Sequence, residues 1–297
     1  MSILITGGGG FLGAWIIRRL HARGIDVRVF DCSDDRTVAH EIVGNFASKL
    51  DWRTGDIASQ EDVIRASEGC DFVIHLAALL TPDCSEDPIL GARVNLLGTL
   101  NVFEAVKLNR ICGLAYASSA GVFGPDDGTT PLPVTHYGAF KLATEGSARA
   151  YWNDLRISSV GFRPLIVYGP GRKVGLTAGP SIACREAVAG RPYTIGFSGA
   201  SDMIFVDDVA AAFEAAALTP FEGAHVFSLT GEVVDVSDIV ASICKIIPDA
   251  KLGWEGPIIP IHPFIAPSAA EEILGPLPRT SLAEGLRKTV YHYQARK

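Results

Sequence analysis

No two of the six cysteines, Cys32, Cys70, Cys84, Cys112, Cys184 and Cys244, are spaced as CxxC, and most sit in apolar or helix-like surroundings. They read as reduced thiols of a cytoplasmic protein rather than as a disulfide framework or a zinc site, and no metal is expected. Positive charge is also scarce: 26 Lys and Arg face 33 Asp and Glu, a net charge of −7. A chain of that balance lacks the basic face that nucleic acid or an anionic membrane surface would need. No apolar run reaches the ~18 residues of a membrane helix. The N-terminus has neither the basic segment nor the small-residue cleavage site of a signal peptide. What remains is a soluble globular chain of 297 residues, 48% hydrophobic, with ample material for a large core in one domain or two. Its expected partner is a small molecule.

The stretch SILITGGGGFLG at residues 2–13 organises the chain. Residues 2–6 form a short apolar run that predicts a buried strand; four glycines then stop it before Phe11, Leu12 and Gly13 open a helix. Glycine admits positive φ and lets a pyrophosphate approach without a Cβ in the way, while the free N–H groups and dipole of the helix start attract the anion. Two registers fit, Gly8-x-Gly10-x-x-Gly13 and Gly7-x-x-Gly10-x-x-Gly13, and they share Gly10 and Gly13. Either predicts dinucleotide binding.

A second strand at 27–30 leads into Asp31. A carboxylate there, about 20 residues after the glycines, suits the ribose hydroxyls of NAD and repels a 2′-phosphate. Arg36 lies near enough to soften that preference. A third strand, 52–56, ends in Gly55, Asp56 and Ile57, and a helix runs to 67. The fourth, from 72 to 77, leads to Ala77 and Ala78, small enough for a cofactor to lie against the backbone. His75, inside that apolar run, reads as a core histidine. Residues 81–88 are polar with two prolines and read as a surface loop at the mouth of a site, with Thr81 a substrate contact. A long helical segment covers 89–108 and carries Asn95. A fifth strand, 114–117, ends at Ser118 and Ser119, a helix spans 135–154, and a sixth strand covers 158–162. This alternation predicts an α/β fold, a doubly wound parallel sheet (Rossmann-like) with a smaller C-terminal substrate-binding lobe. The expected division is a dinucleotide-binding domain at 1–166, with a return segment near 203–230, and a lobe at 167–297. Within that lobe, 257–278 is proline-rich and irregular, and Ser281 with Glu284 forms a capping box.

Tyr137 and Lys141 are four apart on a helix, so both side chains project from one face. A tyrosine with an ordinary pKa near 10 is a poor base at neutral pH, and an adjacent ammonium stabilises its phenolate. The same lysine can hold a nicotinamide ribose. Ser119 can bond the substrate oxygen.

These motifs together resemble the extended short-chain dehydrogenase/reductase superfamily, the NAD-dependent epimerase/dehydratase group. The resemblance runs from Ile3 to about Val290. It rests on TGGGGFLG at 6–13, Asp31, GDI at 55–57, HLAA at 75–78, VNLLGT at 94–99, SSAGVFG at 118–124, YGAFK at 137–141, RPLIVYGPG at 163–171 and FVDDVA at 205–210. It implies a catalytic triad of Ser119, Tyr137 and Lys141. It also implies a cofactor site made of Gly7, Gly10, Phe11, Leu12, Gly13, Asp31, Asp56, Ile57, Leu76, Ala77, Ala78 and Asn95, with Tyr137 and Lys141. Homodimers joined through helices near 89–108 and 135–154 are common in the group. Two departures bear on the substrate. Nucleotide-sugar members carry an asparagine where this chain has Ile166 and an arginine where it has Ser201, both reaching a diphosphate. An apolar residue and a short hydroxyl cannot replace that clamp. Ser201, Arg172 and Thr81 are then the expected substrate contacts, and Arg172, Lys173 and Arg185 are candidates for an anionic group.

Three functions stay open at this point. One is an NAD-dependent dehydrogenase of a small polar substrate, a sugar, sugar acid or hydroxy-carbonyl compound. Another is a nucleotide-sugar epimerase or dehydratase that retains its NAD. The third is an NAD-binding sensor without turnover, which the Tyr/Lys pair disfavours.

Overall fold

The computed structural model describes residues 1–296. Six strands, β1 (Ser2–Thr6), β2 (Asp26–Asp31), β3 (Asp51–Thr54), β4 (Phe72–His75), β5 (Leu114–Ala117) and β6 (Ser159–Pro164), alternate with helices. Three short strands follow, β7 (Ile166–Tyr168), β8 (Tyr193–Ile195) and β9 (Ala200–Phe205), and then β10 (Ala224–Leu229) returns to pair with β6. The result is a seven-stranded parallel sheet in the order β10-β6-β5-β4-β1-β2-β3. It is the doubly wound, Rossmann-like sheet that the alternation of strand and helix predicts. Strand order reverses between β1 and β4, which pair with each other side by side. A crevice opens at such a reversal, at the carboxyl ends of the strands.

The unbroken apolar run of β1 has a direct cause. Ile3 and Ile5 point into one core layer and Leu4 into the other, and all three are fully buried. A strand covered on both faces has no polar side to show. On one face the helices Phe11–Ala22 and Val206–Leu218 pack, and on the other Gln60–Ser67 and Gly98–Leu108. Outside this sheet, β9 lies between β7 and the antiparallel β11 (Glu232–Asp235), and β8 pairs with β12 (Leu252–Trp254). The first layer's core runs on without a break into this region, through Ile195, Phe197, Val236 and Leu286.

Two segments differ from the sequence expectation. Thr81–Glu86 is a short helix rather than a loop. Pro82 stands in its first turn, where no N–H is missed, and the Asp83 carboxylate accepts the Leu80 N–H at 3.2 Å. The segment Pro88–Leu108 is by length and composition apolar enough to cross a membrane, although the sequence shows no such unbroken run. Its inward face is committed to the core through Val102, Phe103, Ala105 and Val106. It is interrupted by a π turn at Arg93–Leu97 that turns Asn95 inward.

Candidate active site

The crevice between the ends of β1 and β4 is a cleft of about 440 Å3 lined by Gly7, Gly9, Gly10, Asp31, Asp56, Ile57, Leu76, Ala77 and Ala78, among others. Gly7 has φ +69°, and a Cβ there would stand 2.6 Å from the Ala77 nitrogen. Only glycine closes that turn. Gly13 meets the same limit from behind, because a Cβ on it would lie 2.6 Å from the backbone of Gly8. Gly10 is the N-cap of the first helix and offers no side-chain cap. The N–H groups of Phe11, Leu12 and Gly13 therefore have no partner inside the helix, which is the anion-binding feature of a helix start. The side chains of Phe11 and Leu12 pack on the core behind the cleft. This glycine cradle and the donors behind it fit a dinucleotide pyrophosphate.

Asp31 stands at the rim of the cleft, where Oδ2 accepts the Gly9 N–H at 2.9 Å and Oδ1 accepts the Cys32 N–H at 2.8 Å. Arg36 does not share the space. Its Nε donates to Asp34 at 2.8 Å and its guanidinium stacks over Trp52. The Asp31 charge at the rim is thus free of a neighbouring guanidinium, as recognition of a ribose diol requires. Asn95 belongs to the support of the cleft rather than to its wall. Fully buried, it accepts the Leu79 N–H at 2.7 Å and donates to the Leu79 carbonyl at 2.9 Å, holding the loop after β4 in place. Cys32 and Ser33, also on the wall, carry no signal in the sequence that sets them apart, whereas Val94 beside them opens the motif at 94–99.

Tyr137 reaches its place through two local devices. The Thr135 hydroxyl accepts the Gly138 N–H at 3.1 Å and starts the helix His136–Leu155 one residue before the tyrosine. Gly138 then packs so tightly on the turn after β5 that a Cβ would lie 2.3 Å from the Gly121 carbonyl. That turn carries Ser119, whose Oγ accepts the Gly121 N–H at 3.0 Å. Burial pushes the Tyr137 phenol up to about 12, against a hydrogen bond with Ser119 and the charge of Arg172, which both pull it down. Lys141 is 3% exposed and donates to the Ala117 carbonyl at 2.6 Å, with its ammonium 5.6 Å from the Tyr137 ring centre. Burial lowers it to about 8. The lysine therefore faces the ring from the strand end, while Arg172 lies on the loop after β7.

Beneath this group lies a network that spacing alone does not reveal. Ser118 Oγ donates to Glu145 at 2.5 Å, and Arg163 donates to the same carboxylate at 2.7 Å through Nε. It ties the ends of β5 and β6 to the helix of Tyr137 and Lys141. His75 is a core residue, as its surroundings in the sequence suggest. Its Nδ1 is 2.6 Å from Thr6 Oγ1 and its Nε2 3.0 Å from Thr99 Oγ1, and burial drives it down to about 3.

A second cavity, of about 130 Å3, adjoins Tyr137. Thr81, Ser119, Thr135, Tyr137, Arg172 and Thr177 supply its polar groups; Leu80, Pro82, Leu165, Leu176, Ile259, Pro260 and Ile261 supply the rest. Of the three cations expected near an anion, only Arg172 faces it. Lys173 pairs with Glu41 at 2.8 Å and Arg185 with Glu186 at 2.9 Å. Ser201 does not reach the cavity: it lies within β9, paired opposite Val234 and 2% exposed. The strand turns it inward, so its expected substrate contact is not made. The segment 259–261 sits in the proline-rich stretch, and its path is set by neighbours far away in the chain. The His262 N–H donates to the Gly124 carbonyl at 2.7 Å and the Ala266 N–H to the Gly128 carbonyl at 3.0 Å.

The model of the NAD dependent epimerase/dehydratase family matches residues 3–236. Among similar proteins, a UDP-glucose 4-epimerase of Mycolicibacterium smegmatis is 29% identical over 318 residues, covering 99% of both chains. A 2-alkyl-3-oxoalkanoate reductase of Stenotrophomonas maltophilia is 32% identical over 257 residues, 81% of this chain and 74% of the reductase. Among solved structures, the UDP-glucose 4-epimerase of Thermus thermophilus in complex with NAD superposes with a TM-score of 0.85 at 27% identity, over 100% of both chains.

Proposed function

The chain belongs to the NAD-dependent epimerase/dehydratase family, and from that premise we propose that it is a dehydrogenase/reductase that turns NAD over, acting on a small hydroxy-carbonyl substrate. Its enzyme class and its use of NAD follow from the family. The choice within the family rests on the cavity beside Tyr137: small, mostly apolar, and walled by no residue able to clamp a diphosphate other than Arg172. An oxo-acid reductase among its relatives supports the same choice.

In this reading Ser119 holds the substrate oxygen and Tyr137 takes the hydroxyl proton during oxidation, returning it in reduction. Bound NAD supplies the acceptor for the hydride that leaves the carbinol carbon. Lys141 fixes the ring of Tyr137 from below and offers its ammonium to the cofactor ribose. Gly7, Gly10 and the first-turn N–H groups hold the pyrophosphate, and Asp31 the adenosine ribose. We assign these tasks to residues 1–166 with the return near 203–230, and substrate choice to the rest of 167–297.

The second reading, a nucleotide-sugar epimerase that keeps its NAD, is favoured by the end-to-end similarity to UDP-glucose 4-epimerases. Incubation with NAD and hydroxy acids separates the two. The dehydrogenase accumulates many equivalents of NADH per protein, and the epimerase none beyond the first.

The same proposal includes a cytoplasmic homodimer. Ile89, Leu90, Leu97 and Leu108 are exposed on the segment Pro88–Leu108, and Leu155 on the helix His136–Leu155, an apolar surface suited to a second copy. Sedimentation should give twice the chain mass; a monomer at all concentrations would remove this part.

A further inference from the structure

Arg172 is the one cation on the wall of the small cavity, and no carboxylate among the described residues is its partner. Its Nη1 donates to the Val167 carbonyl and its Nη2 to Thr177 Oγ1 at 2.7 Å. A guanidinium has five N–H donors, so these two bonds leave others free. The loop that carries it is held from three sides. Trp15 Nε1 donates to the Pro170 carbonyl at 3.0 Å, the Gly169 N–H to Ser181 Oγ at 3.0 Å, and the Gly171 N–H to the Tyr293 hydroxyl at 3.0 Å. The guanidinium is thus pre-placed rather than mobile. Its burial without a counter-charge lowers its pKa to about 10, and its charge acts on Tyr137. A buried charge left unpaired is costly unless a ligand brings the opposite one.

We propose that Arg172 binds a carboxylate of the substrate, and that the substrate is a hydroxy acid (or its oxo acid) with the carboxylate close to the carbinol and an apolar remainder. This rests on the dehydrogenase reading above. Arg172 and Tyr137 share one small cavity, so the charged group and the reacting oxygen belong to the same few atoms of the ligand. Leu80, Leu165, Leu176 and Ile261 supply an apolar part of the wall that suits an alkyl chain. A planar fork facing a carboxylate makes paired, charge-assisted hydrogen bonds.

The test compares short- and medium-chain 2- and 3-hydroxy acids with their methyl esters, reading NADH formed from NAD. The wild type should prefer an acid over its ester in kcat/KM by roughly 10–100-fold, the range expected for a charged hydrogen-bonded contact. Arg172→Gln should bring that ratio close to one, and Arg172→Lys should restore part of it. Because Arg172 also braces its loop, NAD affinity and thermal melting of each variant show whether the fold is kept; if Arg172→Gln does not fold, the wild-type ratio and the lysine variant decide. Equal use of acid and ester by the wild type overturns the carboxylate assignment, as does an acid preference that survives in Arg172→Gln. Oxidation of neutral alcohols alone would overturn this inference and leave the dehydrogenase reading standing. Absence of NADH from every compound, with NAD bound, would overturn both.

Discussion

The cleft at the ends of β1 and β4 depends on a glycine turn where backbone alone fits, whereas the cavity around Tyr137 is walled by side chains drawn from distant loops. The first needs positions where no Cβ fits, such as Gly7 and Gly13, and such a need writes itself into the sequence as glycine at fixed spacing. The second needs shape and a few polar groups. Leu165, Leu176 and Ile261 fill it no differently from leucines and isoleucines in any core. A family can keep the first site and change its chemistry by altering the second.

The comparison breaks most sharply at Tyr137, which lines the small cavity and to which the proposed function gives the proton. Tyr137→Phe removes only a hydroxyl, so turnover should fall by about 10²–10⁴ while NAD affinity stays nearly unchanged, as steady-state rates and a binding titration will show. The pH dependence carries a matching sign. Burial holds the phenol near 12, so oxidation, which needs the phenolate, should speed up from neutral to alkaline pH, while reduction, which needs the proton, should stay level until the pH nears that value. Near wild-type turnover in Tyr137→Phe would move the proton elsewhere and sever the link between the two sites.

A smaller effect isolates the cofactor side. Asp31→Ala removes the carboxylate that accepts the Gly9 N–H at the rim of the cleft, the group proposed to hold the adenosine ribose. The preference for NAD over NADP should narrow by about 10-fold, the worth of one charge-assisted bond, with the ratio of acid to ester use unaltered. If that ratio moved as well, the two sites would not be separable.

What the sequence reveals follows the same division. The central strands β1, β4 and β5 are legible because burial on both faces demands short apolar runs, and the helix of Tyr137 because Thr135 caps it and Gly138 lets it approach. The short helix Thr81–Glu86 is hidden behind prolines that read as loop, although Thr81 does line the cavity. Ser201 has the right place in the chain for a substrate contact and the wrong side of its strand, a matter of pairing with β7 and β11 that no local pattern records. Asn95 is placed near the cofactor by its motif, yet its side chain is spent on Leu79, an arrangement that needs the π turn. Glu145 is four residues beyond Lys141, but its partners Ser118 and Arg163 come from two strand ends and meet it only in the fold.

The central claim is that hydride leaves with the cofactor rather than returning to the substrate. It is tested most directly with a hydroxy acid carrying deuterium at the carbinol carbon, incubated with NAD and the wild-type protein. The account predicts deuterium in free reduced cofactor, accumulating over many turnovers, with the oxo acid as product. Deuterium found back on the same carbon of a product of inverted configuration, with no reduced cofactor set free, would contradict it.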